Sequence, residues 1–335
     1  MPEVKVIAGD FGSFQWGWLF STLQNLISNG IARIAVPLFY LISGYLFFIN
    51  FNGSFSQYRL KLKSRLSTLL IPYLIWNLLA IFILLLLHLL PEVQNILYSS
   101  NSRMYLDTNW SVIDKIVGLS GYPAAYQFWF IRDLMVVILL APLIHTIFRK
   151  YSSLLIVVTG VLWYLQIWPI SIPSSTTVFF FILGAGMTRG DSLFEVIDKY
   201  RKPGAGIFIT ILLLDTYSHG FLINEYIHRL EILIGCFVVL QMSGVVSENH
   251  KINHWLVGLS KYSFFVFAVH EPMLTIIRKF VLSLFEHITP LALFSIYLFL
   301  PLIVVALSIY LYKFITLLSP KLIGLISGHR LDQNK

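Results

Sequence analysis

The sequence predicts an all-α fold: a polytopic transmembrane helical bundle with about nine membrane helices. Three observations lead there. Of 335 residues, 57% are hydrophobic and only 12% are charged. Ordinary soluble domains carry roughly 25% charged residues, so this chain has too little polar surface to coat a globule in water. Several apolar runs are long enough to span a hydrocarbon core. The runs are continuous and do not alternate, which argues against strands, and a helix is the element that satisfies its own backbone hydrogen bonds in lipid.

Taken in order, the expected membrane helices lie near 33–50, 67–90, 128–148, 152–168, 175–190, 204–222, 229–246, 261–283 and 291–316. Upstream, Trp16, Leu19, Phe20, Leu23, Leu26 and Ile27 recur at helical spacing. Residues 1–32 are therefore expected to form an amphipathic segment on the outer face. Residues 33–320 make one transmembrane domain and 321–335 a cytoplasmic tail. No internal repeat stands out, and Pro2, Glu3, Lys5 and Asp10 interrupt what would be the apolar core of a secretory signal.

Charge orients this layout. One alternate set of connections holds 15 Lys and Arg, including Arg59, Lys61, Lys63, Arg65, Arg149, Arg189 and Lys321; the other holds 3, Arg103, Lys115 and Arg229. The rich set belongs in the cytoplasm, and the C-terminus with it. The net charge of +8 is then a property of cytoplasmic loops and calls for no nucleic-acid partner. No C2H2 spacing, Walker A loop or G-x-G-x-x-G is present. Membrane lipids are the expected surroundings. The lone cysteine, Cys236, sits in an apolar run as a small buried hydrophobe.

A charge in a bilayer costs roughly 2.5–3.5 kcal/mol on insertion scales, so the few present are functional candidates. In Arg33-Ile34-Ala35-Val36-Pro37-Leu38-Phe39-Tyr40-Leu41-Ile42-Ser43-Gly44-Tyr45, Arg33 stands at the outer mouth of a helix. Pro37 frees a backbone carbonyl, and Ser43-Gly44 permits close backbone approach; a snorkelling Arg on a small-residue packing face is the alternative. In Phe128-Trp129-Phe130-Ile131-Arg132-Asp133-Leu134, the adjacent charges point about 100° apart on a helix and must find separate partners; the bland alternative is an interfacial anchor with Trp129 in an aromatic belt. His270 lies about 12 Å into its helix, deep enough to need a partner, with Glu271 and Pro272 beside it. An imidazole there suits proton transfer or bridges helices. The basic run Arg59-Leu60-Lys61-Leu62-Lys63-Ser64-Arg65 is either a topology determinant or a cradle for a cytoplasmic donor's phosphates.

The remaining polar residues give weaker signals. His88 is expected at the outer rim, and His250 with His254 on a solvated cytoplasmic face. Asp215, His219, Glu225, His228 and Glu231 surround one outer connection. Their spacing matches no zinc pattern, so a solvated loop and no metal are expected.

Together the three clusters resemble the acyltransferase 3 family of membrane O-acyltransferases, over about residues 31–316. Arg33 through Tyr45 looks like that family's R-x-x-x-P-L-F-F-x-x-S-G-Y element. Phe128 through Leu134 is similar to the W-F-x-R-D-L element of its fucose 4-O-acetylase-like branch. Phe264 through Pro272 is similar to F-F-x-Y-x-x-H-x-P, with Phe267 where Tyr is usual. The resemblance implies ten helices, the first carrying an Arg and a His about ten residues apart. This chain begins after that helix and is expected to lack it.

The resemblance further implies an enzyme, an acyltransferase of a bacterial inner membrane. Acetyl-CoA or another acyl-CoA would be the cytoplasmic donor. The acceptor would be a sugar hydroxyl of a cell-surface polysaccharide or its lipid-linked precursor. In this reading His270 is the catalytic base. Arg33, Ser43, Trp129, Arg132, Asp133 and Glu271 bind the acceptor or acyl group, and Lys61, Lys63 and Arg65 meet the donor. The alternatives are a glycan-precursor transporter or flippase, and a non-catalytic membrane protein derived from the family.

Overall fold

The computed structural model describes residues 5–6, 13–88, 112–189, 201–285 and 287–328. It is helical throughout, apart from a two-residue parallel pairing of β1 (Lys5–Val6) with β2 (His287–Ile288). Five stretches are long and apolar enough to cross a membrane: Trp18–Phe48, Phe55–Leu86, Ala141–Tyr164, Asn224–Glu248 and Pro290–Leu318. Their outer faces carry large exposed apolar side chains, such as Leu78, Phe82 and Leu85, and Phe299, Leu302 and Leu317. Such belts are stable against lipid and not against water. The protein is thus an all-helical membrane protein.

The chain divides into two compact units. The first comprises Met1–Trp16, Ser64–Arg132 and Leu259–Lys335; the second comprises Gly17–Lys63 and Asp133–Gly258.

In the second unit, α1 (Ser13–Gln24) passes through a π-helical stretch, Asn25–Gly30, and a 3-10 turn, Ile31–Ile34, into α2 (Ala35–Phe48). The span expected from residue 33 therefore begins within the segment expected to lie apart on the outer face. The change of direction falls at Gly30 (φ −92°, ψ −97°). Pro37 sits in the first turn of α2, where a missing N–H costs no helical bond. A turn with Asn50 and Gly53 at positive φ leads to α3 (Phe55–Arg65), whose Ser54 hydroxyl accepts the Gln57 N–H.

The expected helix at 128–148 is two. The first, α6 (Trp129–Leu139), ends at a break, and the next, α7 (Ala141–Tyr164), starts with Pro142 in its first turn. Proline's fixed φ favours that position. The expected boundary near 150 is a kink at Tyr151 (φ −131°, ψ 44°) inside α7. Then come α8 (Ser175–Gly186), capped by Ser174, α9 (Arg201–Ser218), α10 (Asn224–Glu248) and α11 (His250–Ser260). Helices α2 and α8 cross at glycines. A Cβ on Gly44 would lie 2.0 Å from the Phe181 carbonyl oxygen, and one on Gly184 would lie 2.0 Å from the Leu41 oxygen. Close approach at Ser43-Gly44 is therefore realised. Cys236 is fully buried.

In the first unit, a π-helical turn (Leu66–Leu70) opens α4 (Ile71–His88); α5 (Val112–Val117) and a loop lead into the first turn of α6. Helices α12 (Ser263–Ser283), α13 (Pro290–Leu318) and α14 (Pro320–Ile326) complete it. The caps Thr289 and Ser319 each precede a proline and accept a backbone N–H of the helix they open. The core joins Phe265, Val269, Tyr312, Ile323 and Ile326, with Trp76 packed against it and its indole N–H donating to the Ile326 carbonyl at 2.9 Å. Residues 89–111 and, of the expected cytoplasmic tail, residues 329–335 fall outside the described residues, as does the His88 side chain.

Candidate active site

Within the first unit the structure brings the second and third sequence elements together. Pro272, inside α12, has no N–H for the Ala268 carbonyl four residues back. Gln127 supplies the missing donor, its Nε2 reaching that oxygen at 2.8 Å. The aromatic faces then interlock. Phe267 meets Phe128 at 5.0 Å and Phe130 at 4.9 Å, ring centre to ring centre, both edge to face.

His270 is the eighth residue of α12 and is half-buried. Its Nδ1 lies 2.6 Å from the Phe267 carbonyl oxygen. A carbonyl can only accept, so Nδ1 carries a proton, and in the neutral ring Nε2 then presents the lone pair. This is the tautomer a general base requires. Glu271 accepts from the Thr275 hydroxyl at 2.9 Å, one turn further along the helix.

Arg132 and Asp133 part company, as their 100° separation on a helix requires. The Arg132 guanidinium donates to the carbonyls of Gly118 and Gly121. The same loop is held by Asp114, which accepts from the Leu119 and Ser120 N–H groups. Fully buried Asn77 finishes it: its oxygen accepts the Ala125 N–H at 2.9 Å and its nitrogen donates to the Tyr73 carbonyl at 2.8 Å. The residues from 118 to 125 are thereby a fixed loop, and Arg132 is one of its fasteners. Trp129 is half-buried at the start of α6.

Asp133 belongs to the second unit. It is 1% exposed and accepts from the Ser174 N–H at 3.0 Å, at the N-terminus of α8. The partial positive charge of a helix start stabilises a carboxylate there. Since α8 crosses α2 at the paired glycines, Asp133 fixes the helix that Gly44 meets; Ser43, beside Gly44, is buried. Arg33 is exposed on the 3-10 turn that precedes α2.

Lys61 reaches back to the end of α2, donating to the carbonyls of Phe47 at 2.6 Å and Ile49 at 3.1 Å. A cation at a helix C-terminus satisfies orphan carbonyls and complements the dipole. Its sequence neighbours differ: Lys63 is exposed and Arg65 half-buried. Beside this turn lies a cavity of about 540 Å³ lined by Phe48, Asn50, Asn52, Gln57, His145 and Arg189, among others. Sequence reasoning passed over His145 and counted Arg189 only among the cytoplasmic charges. His145 stacks on Phe48 with ring planes 7° apart, and Arg189 lies over the Phe148 ring at 4.6 Å.

One expectation is overturned by burial. Asp215 and Glu231 do not sit on a solvated loop; they are 4% and 0% exposed, against each other and His228, where α9 and α10 pack side by side. His219 and Glu225 are exposed, as expected.

The long apolar helices place the chain in the class of polytopic helical membrane proteins. Comparison gives the family. The acyltransferase domain of the acyltransferase 3 family matches residues 6–313, and the chain belongs to that family. It is also similar to the succinoglycan biosynthesis protein ExoH of Rhizobium meliloti (strain 1021), at 21% identity over 335 residues, covering 98% of this chain and 86% of the relative. No solved structure matches the chain.

Proposed function

We propose that the protein is an integral membrane O-acyltransferase that moves an acetyl group from cytoplasmic acetyl-CoA to a sugar hydroxyl of a cell-surface polysaccharide or its lipid-linked precursor. The observation that carries this reading is the contact of His270: Nδ1 is committed to the Phe267 carbonyl, which in the neutral ring leaves Nε2 as the acceptor. Family membership supplies the reaction class, and the relative's part in succinoglycan biosynthesis favours a glycan acceptor.

In the reaction, Nε2 of His270 takes the proton of the sugar hydroxyl as its oxygen attacks the thioester carbonyl. The C–O bond forms and the C–S bond breaks. The leaving thiolate recovers the proton from the imidazolium, giving free coenzyme A thiol and the acetyl ester. Arg33 offers charge for the oxyanion. Ser43, Trp129 and Glu271 are assigned to the acceptor or acyl group by their places in the family's elements, while Arg132 fastens its own loop and Asp133 the start of α8. The nine-span layout with a cytoplasmic C-terminus puts the basic stretch of α3 inside. There Lys63 and Arg65 meet the donor's phosphates. Lys61 holds the turn, and the cavity beside Arg189 gives the donor room.

The test is transfer in isolated membranes supplied with acetyl-CoA labelled in its acetyl group. Expected is label in the glycan or lipid-linked glycan fraction, released by mild base and lost in His270→Ala at unchanged membrane content of the protein. Glycan crossing the membrane without donor and without label would replace this reading with a transporter. Undiminished transfer by His270→Ala would remove the imidazole from the mechanism.

A further inference from the structure

We propose that Asp215, His228 and Glu231 form a binding site for a divalent transition-metal cation of the zinc class, at the end where α9 and α10 are joined. Asp215 lies on the last turn of α9, and His228 and Glu231 are one turn apart near the start of α10. One ligand atom from each residue falls within a sphere where all three lie within 4.8 Å of one another. His228 Nδ1 is 3.2 Å from Asp215 Oδ2 and 4.0 Å from Glu231 Oε2.

The observation that asks for a ligand is Glu231. It is 0% exposed, and both carboxylate oxygens are buried without a hydrogen-bond partner among the described residues. A buried carboxylate with no donor is expensive, and buried charges are paired or bound to metal. The neighbouring arginine does not serve it: Arg229 donates to the Tyr164 carbonyl at 2.8 Å and pairs with Glu225 at 3.3 Å. One divalent cation neutralises the two carboxylates and leaves the imidazole neutral, which is the form that binds metal.

The geometry suits a small cation. With metal–ligand bonds of about 2.0–2.2 Å, tetrahedral ligand atoms stand about 3.4 Å apart. The 3.2 Å separation already meets this; the 4.0 Å one and the third, within 4.8 Å, close as the side chains turn inward. The supporting hydrogen bond is in place: Asn224 Nδ2 donates to Asp215 Oδ1 at 2.9 Å, turning Oδ2 toward the imidazole. One imidazole with two carboxylates suits zinc better than magnesium or calcium, which favour oxygen ligands alone. His228 is 27% exposed by its side chain, so a cation can reach the triad from the surface.

The experiment uses the full chain in detergent, stripped with chelator, desalted and titrated with zinc chloride, following bound metal by mass spectrometry and thermal melting. Expected is one zinc per chain with a rise in melting temperature. Glu231→Gln keeps the volume and removes the unpaired charge, so its metal-free form melts no lower than wild type; its zinc affinity falls at least tenfold. Asn224→Ala weakens zinc about 10-fold or more through the supporting bond. The proposal is overturned if wild type retains no more zinc than Glu231→Gln, which would mean the triad shares a proton. It is equally overturned if magnesium chloride alone gives the same stabilisation, since the imidazole would then be no ligand.

Discussion

Adding one methyl group at Gly44 tests the packing that positions the first sequence element. The Cβ of Gly44→Ala would stand 2.0 Å from the Phe181 carbonyl oxygen, and Cβ contacts under 3.0 Å are essentially never seen. The atom in the way is backbone, so no side chain can turn aside, and α2 and α8 must part by about 1.0 Å at the crossing to reach even that limit. Overpacking of this kind costs about 1–3 kcal/mol. The partner glycine faces the mirror problem, its Cβ meeting the Leu41 oxygen at the same 2.0 Å. One separation relieves both clashes, so Gly44→Ala/Gly184→Ala should cost less than the two single changes added, by about 0.5 kcal/mol or more. Gly206 and Gly244 are the internal controls, with no atom within 4 Å of an added Cβ. There alanine should be neutral or raise stability by up to about 1 kcal/mol through helix propensity. The assay is thermal unfolding in detergent of all five variants, with acyl transfer measured alongside, because α2 carries Ser43 and follows directly on Arg33. A Gly44→Ala protein that melts with Gly206→Ala would refute the crossing.

Three further outcomes are expected. Arg132→Lys replaces a planar fork spanning two carbonyls with a point donor, at a cost of about 1–3 kcal/mol; hydrogen exchange of the amides from 118 to 125 should quicken while α13 is unchanged, and equal protection would sink the fastening role. Asn77→Leu strands the buried Ala125 N–H, which costs about 1–3 kcal/mol, and should lower the melting temperature; a variant as stable as wild type would mean that N–H has another acceptor. Lys61→Met should lower stability and leave the KM for acyl-CoA unchanged, whereas Lys63→Met should raise that KM at constant stability; the opposite pattern would make Lys61 the donor contact.

Much of this was legible in the residues because the signals are local. Pro272 announces a free carbonyl four positions back, Ser43-Gly44 announces close approach, and adjacent Arg132 and Asp133 announce two separate partners. Pro142 in fact marked the start of a helix, although the apolar run around it hides the break at Leu140. What escaped depends on which faces meet in space. Asp215 and His228 are 13 residues apart on two helices, and nothing in their spacing says that the helices pack with those faces inward. Lys61 reads as one more cytoplasmic cation until the chain turns back and offers it the end of α2. His145 and Arg189 join only when the turn after α2 closes over them.

The missing N–H at Pro272 has a last consequence, for how α12 answers the membrane around it. Helices ordinarily answer a change in bilayer thickness by tilting or shifting along their axes. A shift of one residue, about 1.5 Å, would tear Gln127 from Ala268 and leave an amide and a carbonyl stranded in a medium of low dielectric constant. The bond acts as a detent. It sets the level of His270, two residues away, against the turn at 126–128, so that the two move through the lipid together.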